Sequence, residues 1–319
     1  MEIISNCTEV EVMLAAKALR DGHLVAFPTE TVYGLGADAT NEKAIGRVYS
    51  VKGRPTGHPL IVHISSMKQI DNWAIDIPEY ADKLMQAFWP GPLTVILKRS
   101  QLAKDFITGH QESVALRIPN QPVALNLLQQ FESLGGLGIA APSANRYQSI
   151  SPTSASDVSI ELAMFLEPSD LILDGGRCSI GIESTIVNCL GGTPQILRPG
   201  AILSEDIYNI TGLKVASNNA PIKIKAPGTL GFHYSPRAEV ILNQPPLAGN
   251  GFLALSSVAT PKDVVRLGIP KDVKEFANVL FQALRLGDQI GLKKIIVQTP
   301  NSEGLGIAIK NRLEKMQRS

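Results

Sequence analysis

Residues 24–36 read LVAFPTETVYGLG. Leu24 to Phe27 form a short apolar run that reads as a buried strand, and it passes straight into a Thr/Gly-rich segment, Pro28 to Gly36. Upstream, Thr8 and Glu11 have capping-box spacing, Val12, Ala16 and Leu19 share a face, and Gly22 is placed to end the helix. Downstream, a helix is expected from about Glu42 to Val51, then the basic turn KGRPTGHP (52–59), then a strand from Leu60 to Ile64. Further strands are expected at Leu93–Leu97, Val114–Ile118, Leu137–Ala141, Leu171–Leu173 and Thr185–Val187, with helices over 79–88 and 122–133. Strand and helix alternate irregularly between many Pro and Gly breaks. That predicts an α/β or α+β domain with a mixed sheet, and not a barrel of regular repeats.

Residues 213–236 are rich in Pro, Gly and Asn and lack helical periodicity, which predicts an interdomain linker. From Ala238 the pattern simplifies. Val240–Leu242, Phe252–Leu255 and Lys294–Val297 read as strands. Val273, Phe276, Ala277, Leu280, Phe281 and Leu284 form a helical stripe, and a last helix is expected from Gly304 onward. The expected division is therefore 1–212, a linker over 213–236, and a small domain over 237–319.

Of the 319 residues, 44% are hydrophobic and 18% charged, as in ordinary globular proteins and unlike disordered chains. No apolar run approaches the length of a membrane span, and the N-terminus has acidic residues and no basic n-region. Cys7, Cys178 and Cys189 are odd in number and lack CxxC spacing, which argues against a disulfide framework and a zinc site. A cytoplasmic protein is expected. Residues 1–212 carry 15 Lys+Arg and 22 Asp+Glu, a net −7, and residues 213–319 carry 15 and 7, a net +8. A cationic site in the first part must be local, which suits a small anion better than a nucleic-acid polymer.

The chain has no GxxxxGK[ST] phosphate loop, HExxH, GxSxG elbow or kinase set. Its chemistry-bearing residues sit in short loops at strand ends. Lys52, Arg54 and His58 fall within seven residues whose Pro55, Gly57 and Pro59 fix where the cations point. They read either as a phosphate-binding cluster or as a solvated loop. His63, in LIVHI, reads as a ligand-facing or a core histidine. Arg117, in VALRIP, lies on one face of a half-buried strand and must meet a carboxylate of the protein or of a ligand. APSANRYQSISPT (141–153) and the Ser184–Thr185 strand start are dense in hydroxyls, and LRPG places Arg198 before Pro and Gly. Each loop also reads as plain turn chemistry. Together they describe an anionic nucleotide site better than a hydrolase.

FPTETVYGLG, KGRP…HPL-VHI, WPGPLT, LRIP, APSAN, GG…GIESTI and LRPG occur in that order. This ordered set resembles the YrdC-like threonylcarbamoyl-AMP synthases, and APGTLGFHYSPR with the GLGIAIKNRL ending resembles their long, two-domain form. The resemblance covers nearly the whole chain. It implies an α/β fold with a twisted mixed sheet and a concave cleft, plus a small C-terminal Rossmann-like α/β domain. It implies a reaction in which L-threonine, bicarbonate and ATP, with Mg2+, give threonylcarbamoyladenylate and pyrophosphate. A separate transferase then carries the group to the adenosine beside a tRNA anticodon, so that tRNA contact is possible here but not required.

By the same resemblance, Thr31, His63, Arg117 and Ser184 line the threonine pocket, with Ala141 as a backbone contact. Lys52, Arg54, His58, Ser113, Ser143, Asn145, Ser151 and Arg198 hold ATP, joined by His233 or Tyr234 of the linker, and Lys52 and Arg54 serve the chemistry. The metal ligands are not identified. Threonine and bicarbonate form a carbamate whose oxygen attacks the α-phosphorus, so the protein needs no nucleophile, only positioning and charge stabilisation. Residues 227–237 are expected to close over the cleft as a lid. Two other classes compete with this one. An RNA-binding module is disfavoured by the −7 charge, and a hydrogenase-maturation carbamoyltransferase would carry acylphosphatase and zinc-finger segments that the chain lacks.

Overall fold

In a computed structural model, which describes residues 1–216, 224–227 and 234–317, the chain opens with strand β1 (Glu2–Ile4) and helix α1 (Glu9–Arg20). The Thr8 hydroxyl accepts from the Glu11 N–H, and the Glu11 carboxylate accepts from the Thr8 N–H at 2.8 Å. Gly22 follows the helix at φ +89°. The next elements are β2 (Val25–Phe27), β3 (Gly34–Asp38), α2 (Glu42–Lys52), β4 (Ile61–His63), α3 (Ile70–Trp73) and β5 (Ala74–Ile75). Then come α4 (Glu79–Phe88), β6 (Leu93–Arg99), α5 (Asp105–Thr108), β7 (Ser113–Arg117), α6 (Pro122–Ser133) and β8 (Ile139–Ala140). Next are α7 (Ala155–Leu162), β9 (Leu171–Leu173), β10 (Thr185–Asn188), β11 (Gln195–Arg198) and α8 (Ser204–Thr211). Among the described residues these strands form one 11-stranded mixed sheet in the order β1-β9-β2-β3-β8-β4-β7-β6-β10-β11, with β5 beside β6.

The helices 79–88 and 122–133 fall where expected. Strand β3 begins inside the Thr/Gly-rich segment, where no strand was expected. Its sequence, GLGAD, lacks bulky alternation because the neighbours leave no room: a Cβ on Gly36 would lie 2.8 Å from both Phe27 and Ile139. Strand β11 likewise takes Arg198 out of the expected loop and into the sheet, antiparallel to β10.

One face of this sheet holds the main core. Val62, Val95, Leu116 and Val187 pack there against helix residues such as Val48 and Leu84. Side chains alternate along a strand, so the opposite face carries the residues between them. These are Ile61 and His63 on β4, paired with Ala115 and Arg117 on β7, and Thr94 and Ile96 on β6. That face carries the site, with Ile224 and Ala226 packed over Ile61, Ile96 and Ala115 beside it.

The second sheet is wholly parallel: β12 (Glu239–Leu242), β13 (Gly251–Leu253), β14 (Val265–Gly268) and β15 (Lys294–Val297), in the order β12-β15-β13-β14. Helices α9 (Val273–Gln289) and α10 (Leu305–Glu314) pack on it. It is a small parallel α/β layer; the Rossmann-like detail implied by the resemblance goes further than these elements do. Its core continues into the first sheet's loops, because Val32, Ile150 and Ile182 are buried in the same cluster as Phe276, Phe281 and Ile309.

Among the described residues no helix is long and apolar enough to cross a membrane. The three cysteines are unpaired with one another.

Candidate functional site

Helix α2 ends at Lys52 because Gly53 adopts φ +62° at its C-cap, which turns the chain so that the Arg54 N–H bonds back to the Tyr49 carbonyl at 2.9 Å. Lys52 is buried. Its ammonium donates to the carbonyls of Ser143 and Asn145 at 2.6 and 2.5 Å, and its own carbonyl accepts from the Tyr147 N–H. Lys52 therefore clamps the 143–147 loop onto α2. Burial, and then Arg54, push its ammonium well below the usual lysine range. Arg54 is buried too and donates to the Pro59 carbonyl at 3.0 Å, and its Nε has no hydrogen-bond partner among the described residues.

A narrow cleft, with a cavity volume of about 50 Å³, lies on the face of the large sheet opposite the main core. Thr31, Arg54, His63, Arg117, Ala141, Ser143, Ser184, Arg198 and Tyr234 all line it. Each was singled out from the sequence, yet together they come from eight separate stretches of chain. Thr29 shapes the 28–33 turn: its hydroxyl donates to the Val32 carbonyl at 2.7 Å and accepts from the Thr31 N–H at 3.1 Å. Arg198 donates to the carbonyl and hydroxyl of Ser184, both at 3.0 Å, and to the Pro227 carbonyl at 3.1 Å. Burial lowers its pKa to about 10, so it remains a cation. Burial and the Arg117 charge press His63 down to about 3, which keeps its ring neutral at physiological pH. Its Nδ1 has no partner among the described residues.

Arg117 meets the carboxylate its burial requires inside the protein. Its Nη2 lies 2.7 Å from Glu30 Oε1 as an ion pair, with both side chains almost fully buried. Arg117 Nε donates to the Gly91 carbonyl at 3.3 Å. A guanidinium carries five N–H donors, so these two contacts do not use them all. Two buried polar atoms without a partner among the described residues, Arg54 Nε and His63 Nδ1, belong to side chains that line one cavity. Buried polar atoms are normally paired, so this concentration marks a place for a polar ligand.

The other expected residues stand behind this lining. Asn145 is buried, its amide donating to the carbonyls of Arg146 and Ser149. Ser151 donates to Glu183 at 2.6 Å. His58 is half-buried beside Tyr147 on the outer side of the basic turn, and burial lowers its pKa. Ser113 is buried on the same sheet face at the far end of β7 from Arg117 and is not in the cleft lining. His233 lies outside the described residues.

Chains similar to this one place the cleft in a family. A family model described as "Telomere recombination" matches residues 17–200, and one described as "Threonylcarbamoyl-AMP synthase, C-terminal domain" matches 202–316. The threonylcarbamoyl-AMP synthase of Pyrococcus abyssi is 38% identical, over 99% of this chain and 97% of that one. That of Bacillus subtilis is 36% identical, over 97% and 94%. The chain belongs to the threonylcarbamoyl-AMP synthases. The crystal structure of P. abyssi Sua5 complexed with L-threonine superposes with a TM-score of 0.88 at 38% identity, covering 98% of this chain and 97% of that one. Escherichia coli YciO shares the fold of the first part only, with a TM-score of 0.53 at 20% identity over 62% of this chain and 94% of that one.

Sequence reading missed three cleft-side residues of this synthase. Thr29, Glu30 and Glu183 lie beside residues that were named, in PTET and GIEST. Their signal was a carboxylate or hydroxyl in a run otherwise apolar or small, and the partner of each carboxylate was too distant in sequence to see.

Proposed function

We propose that the cleft condenses L-threonine, bicarbonate and ATP into L-threonylcarbamoyladenylate with release of pyrophosphate, supplying the intermediate for threonylcarbamoyladenosine in tRNA. The observation that carries this is the convergence of Arg54, Arg117 and Arg198 with neutral His63 and the Thr31 and Ser184 hydroxyls in one cleft. Such a lining suits two anions brought together and lacks a nucleophile paired with a base. Arg117, His63, Thr31, Ser184 and Ala141 take threonine, its carboxylate meeting the donors that Glu30 leaves open. Arg54, Ser143 and Arg198 face the phosphates. Lys52, His58, Ser113, Asn145 and Ser151 support that side, Lys52 by holding the Ser143 loop. The carbamate oxygen attacks the α-phosphorus, and the arginines stabilise charge as it develops.

Magnesium fits best as part of the substrate, Mg–ATP. The carboxylates nearest the cleft, Glu30 and Glu183, are engaged by Arg117 and Arg312. Among the described residues, the one cluster spaced to share an ion, His23, Glu167 and Asp170, is outside the cleft lining, and its Asp170 is tied to Arg47.

We place the catalytic part at 1–212, a lid at 213–236 and the accessory domain at 237–319. Pro227 and Tyr234, at the two edges of the lid's central stretch, both border the cleft. Phe232 and His233, expected to complete the lid, lie outside the described residues. On this reading the protein acts in the cytoplasm and hands the adenylate to a threonylcarbamoyl transferase.

Pyrophosphate release from ATP should require threonine and bicarbonate together and proceed without tRNA. Release that is indifferent to threonine, or that depends on RNA, would refute the assignment.

A further inference from the structure

Glu183 is an odd residue for a cleft that receives phosphates. It lines the cavity immediately before Ser184, is 5% exposed, and is a carboxylate. It accepts from the Ser151 hydroxyl at 2.6 Å and from Arg312 Nε at 2.7 Å. Arg312 belongs to α10, the last helix of the chain, 129 residues away, and is fully buried. Its Nη2 also donates to the Glu183 carbonyl at 3.3 Å, and its guanidinium lies 5.6 Å over the ring of Tyr234, another cleft residue. One side chain from the second domain thus holds the Ser184 wall through carboxylate and backbone and underlies the end of the linker.

We propose that Arg312 is a positioning residue of the synthase cleft: by neutralising Glu183 it lets that carboxylate brace Ser151 and Ser184 without repelling the triphosphate. An unpaired carboxylate at this depth would oppose ATP directly, or would swing onto Arg198 and take a cation from the phosphates. The second domain therefore completes the charge balance of the first domain's site. Burial alone pushes the Glu183 carboxyl up, but Arg312, Arg198 and the Ser151 hydrogen bond outweigh it and hold the group below its ordinary value. Its other neighbours are Lys315, on the residues after α10, and Tyr234.

The inference rests on the cleft being the ATP site, and the full-length enzyme tests the two separately by pyrophosphate release. Wild type that releases none with all three substrates overturns the cleft assignment and the inference with it. Given an active wild type, Arg312→Met should raise KM for ATP roughly ten- to a hundredfold while KM for threonine moves less than about threefold. Adding Glu183→Gln to Arg312→Met should recover most of that loss, since the lone charge is gone. Lowering the pH from 8 to 6 should shrink the defect of the single variant, because the unpaired buried carboxyl takes up a proton. An unchanged KM for ATP overturns the proposal, as does a loss shared equally by both substrates and not recovered by Glu183→Gln. Should Arg312→Met not fold, the double variant decides. If it folds and turns over ATP with a KM near wild type, the proposal holds, and if it remains unfolded, Arg312 is needed for packing and the proposal fails.

Discussion

Arg117 and Arg54 stand in one cleft with different neighbours, and that difference sets what each substitution should do. Arg117→Ala removes the partner of buried Glu30, so it should lower stability by about 3–5 kcal/mol as well as weaken threonine binding. Arg54→Ala leaves no carboxylate behind. It should weaken ATP binding by roughly ten- to a hundredfold with little change in threonine affinity. Calorimetric titration of both variants with both ligands, alongside thermal melts, separates these outcomes; normal threonine binding by Arg117→Ala would make Arg117 a purely internal ion pair. His63 supplies a pH test. Its pKa falls from 6.5 in the unfolded chain to about 3 in the fold, so the unfolded state binds the extra proton between those values. The stabilisation is complete above pH 6.5 and declines as the pH drops toward 3. At pH 5 this amounts to about 2 kcal/mol, so His63→Gln should flatten the fall in melting temperature between pH 7.5 and 5. An unaltered slope would mean that the ring is protonated in the fold. Arg117 and His63 were legible in the sequence because they stood out in apolar strands, and Lys52, Arg54 and Arg198 because Pro and Gly surround them. Glu30 as the mate of Arg117 was not, since the pair is formed by a loop and a strand far apart in the chain.

At the level of elements, the long helices were readable because their apolar stripes and caps are local, as with Thr8–Glu11 or Pro122 at the start of α6. Strands β3 and β11 were not, because GLGAD and the residues before LRPG become strands only by pairing with β2, β8 and β10. The same holds for α7. Its Ser154–Asp157 capping box is local, but its orientation depends on Arg285 of α9. Arg285 faces Asp157 at 3.3 Å and Glu161 at 2.8 Å and donates to the Ile150 carbonyl at 2.9 Å. Arg285→Ala should cost about 3 kcal/mol, the low end for a broken buried pair because Glu161 reaches solvent. Differential scanning calorimetry should show a lower first transition as the two sheets uncouple, and an unshifted profile would mean that this contact does not dock them.

Across the whole molecule, the net −7 and +8 of the two parts do not tell how tightly the two sheets are joined. The second domain's core takes in Val32, Ile150 and Ile182, and its Asn278 amide donates to the carbonyls of Cys178 and Ser179. The Lys225 backbone is pinned to Gln111 at both its N–H and its carbonyl, and Ala226 is buried on the sheet face opposite the main core. Residues 224–226 are thus packed along the face that carries the cleft, which a composition rich in Pro, Gly and Asn could not reveal. In the proposed reaction this face joins carbon from bicarbonate to threonine before adenylation. Mass spectrometry of the product made from threonine, ATP and 13C-labelled bicarbonate is the decisive measurement. The expected product is an adenylate that contains threonine and carries the label on one carbon. An unlabelled threonyl-adenylate, or ATP cleavage with no adenylate formed, would contradict the proposed reaction.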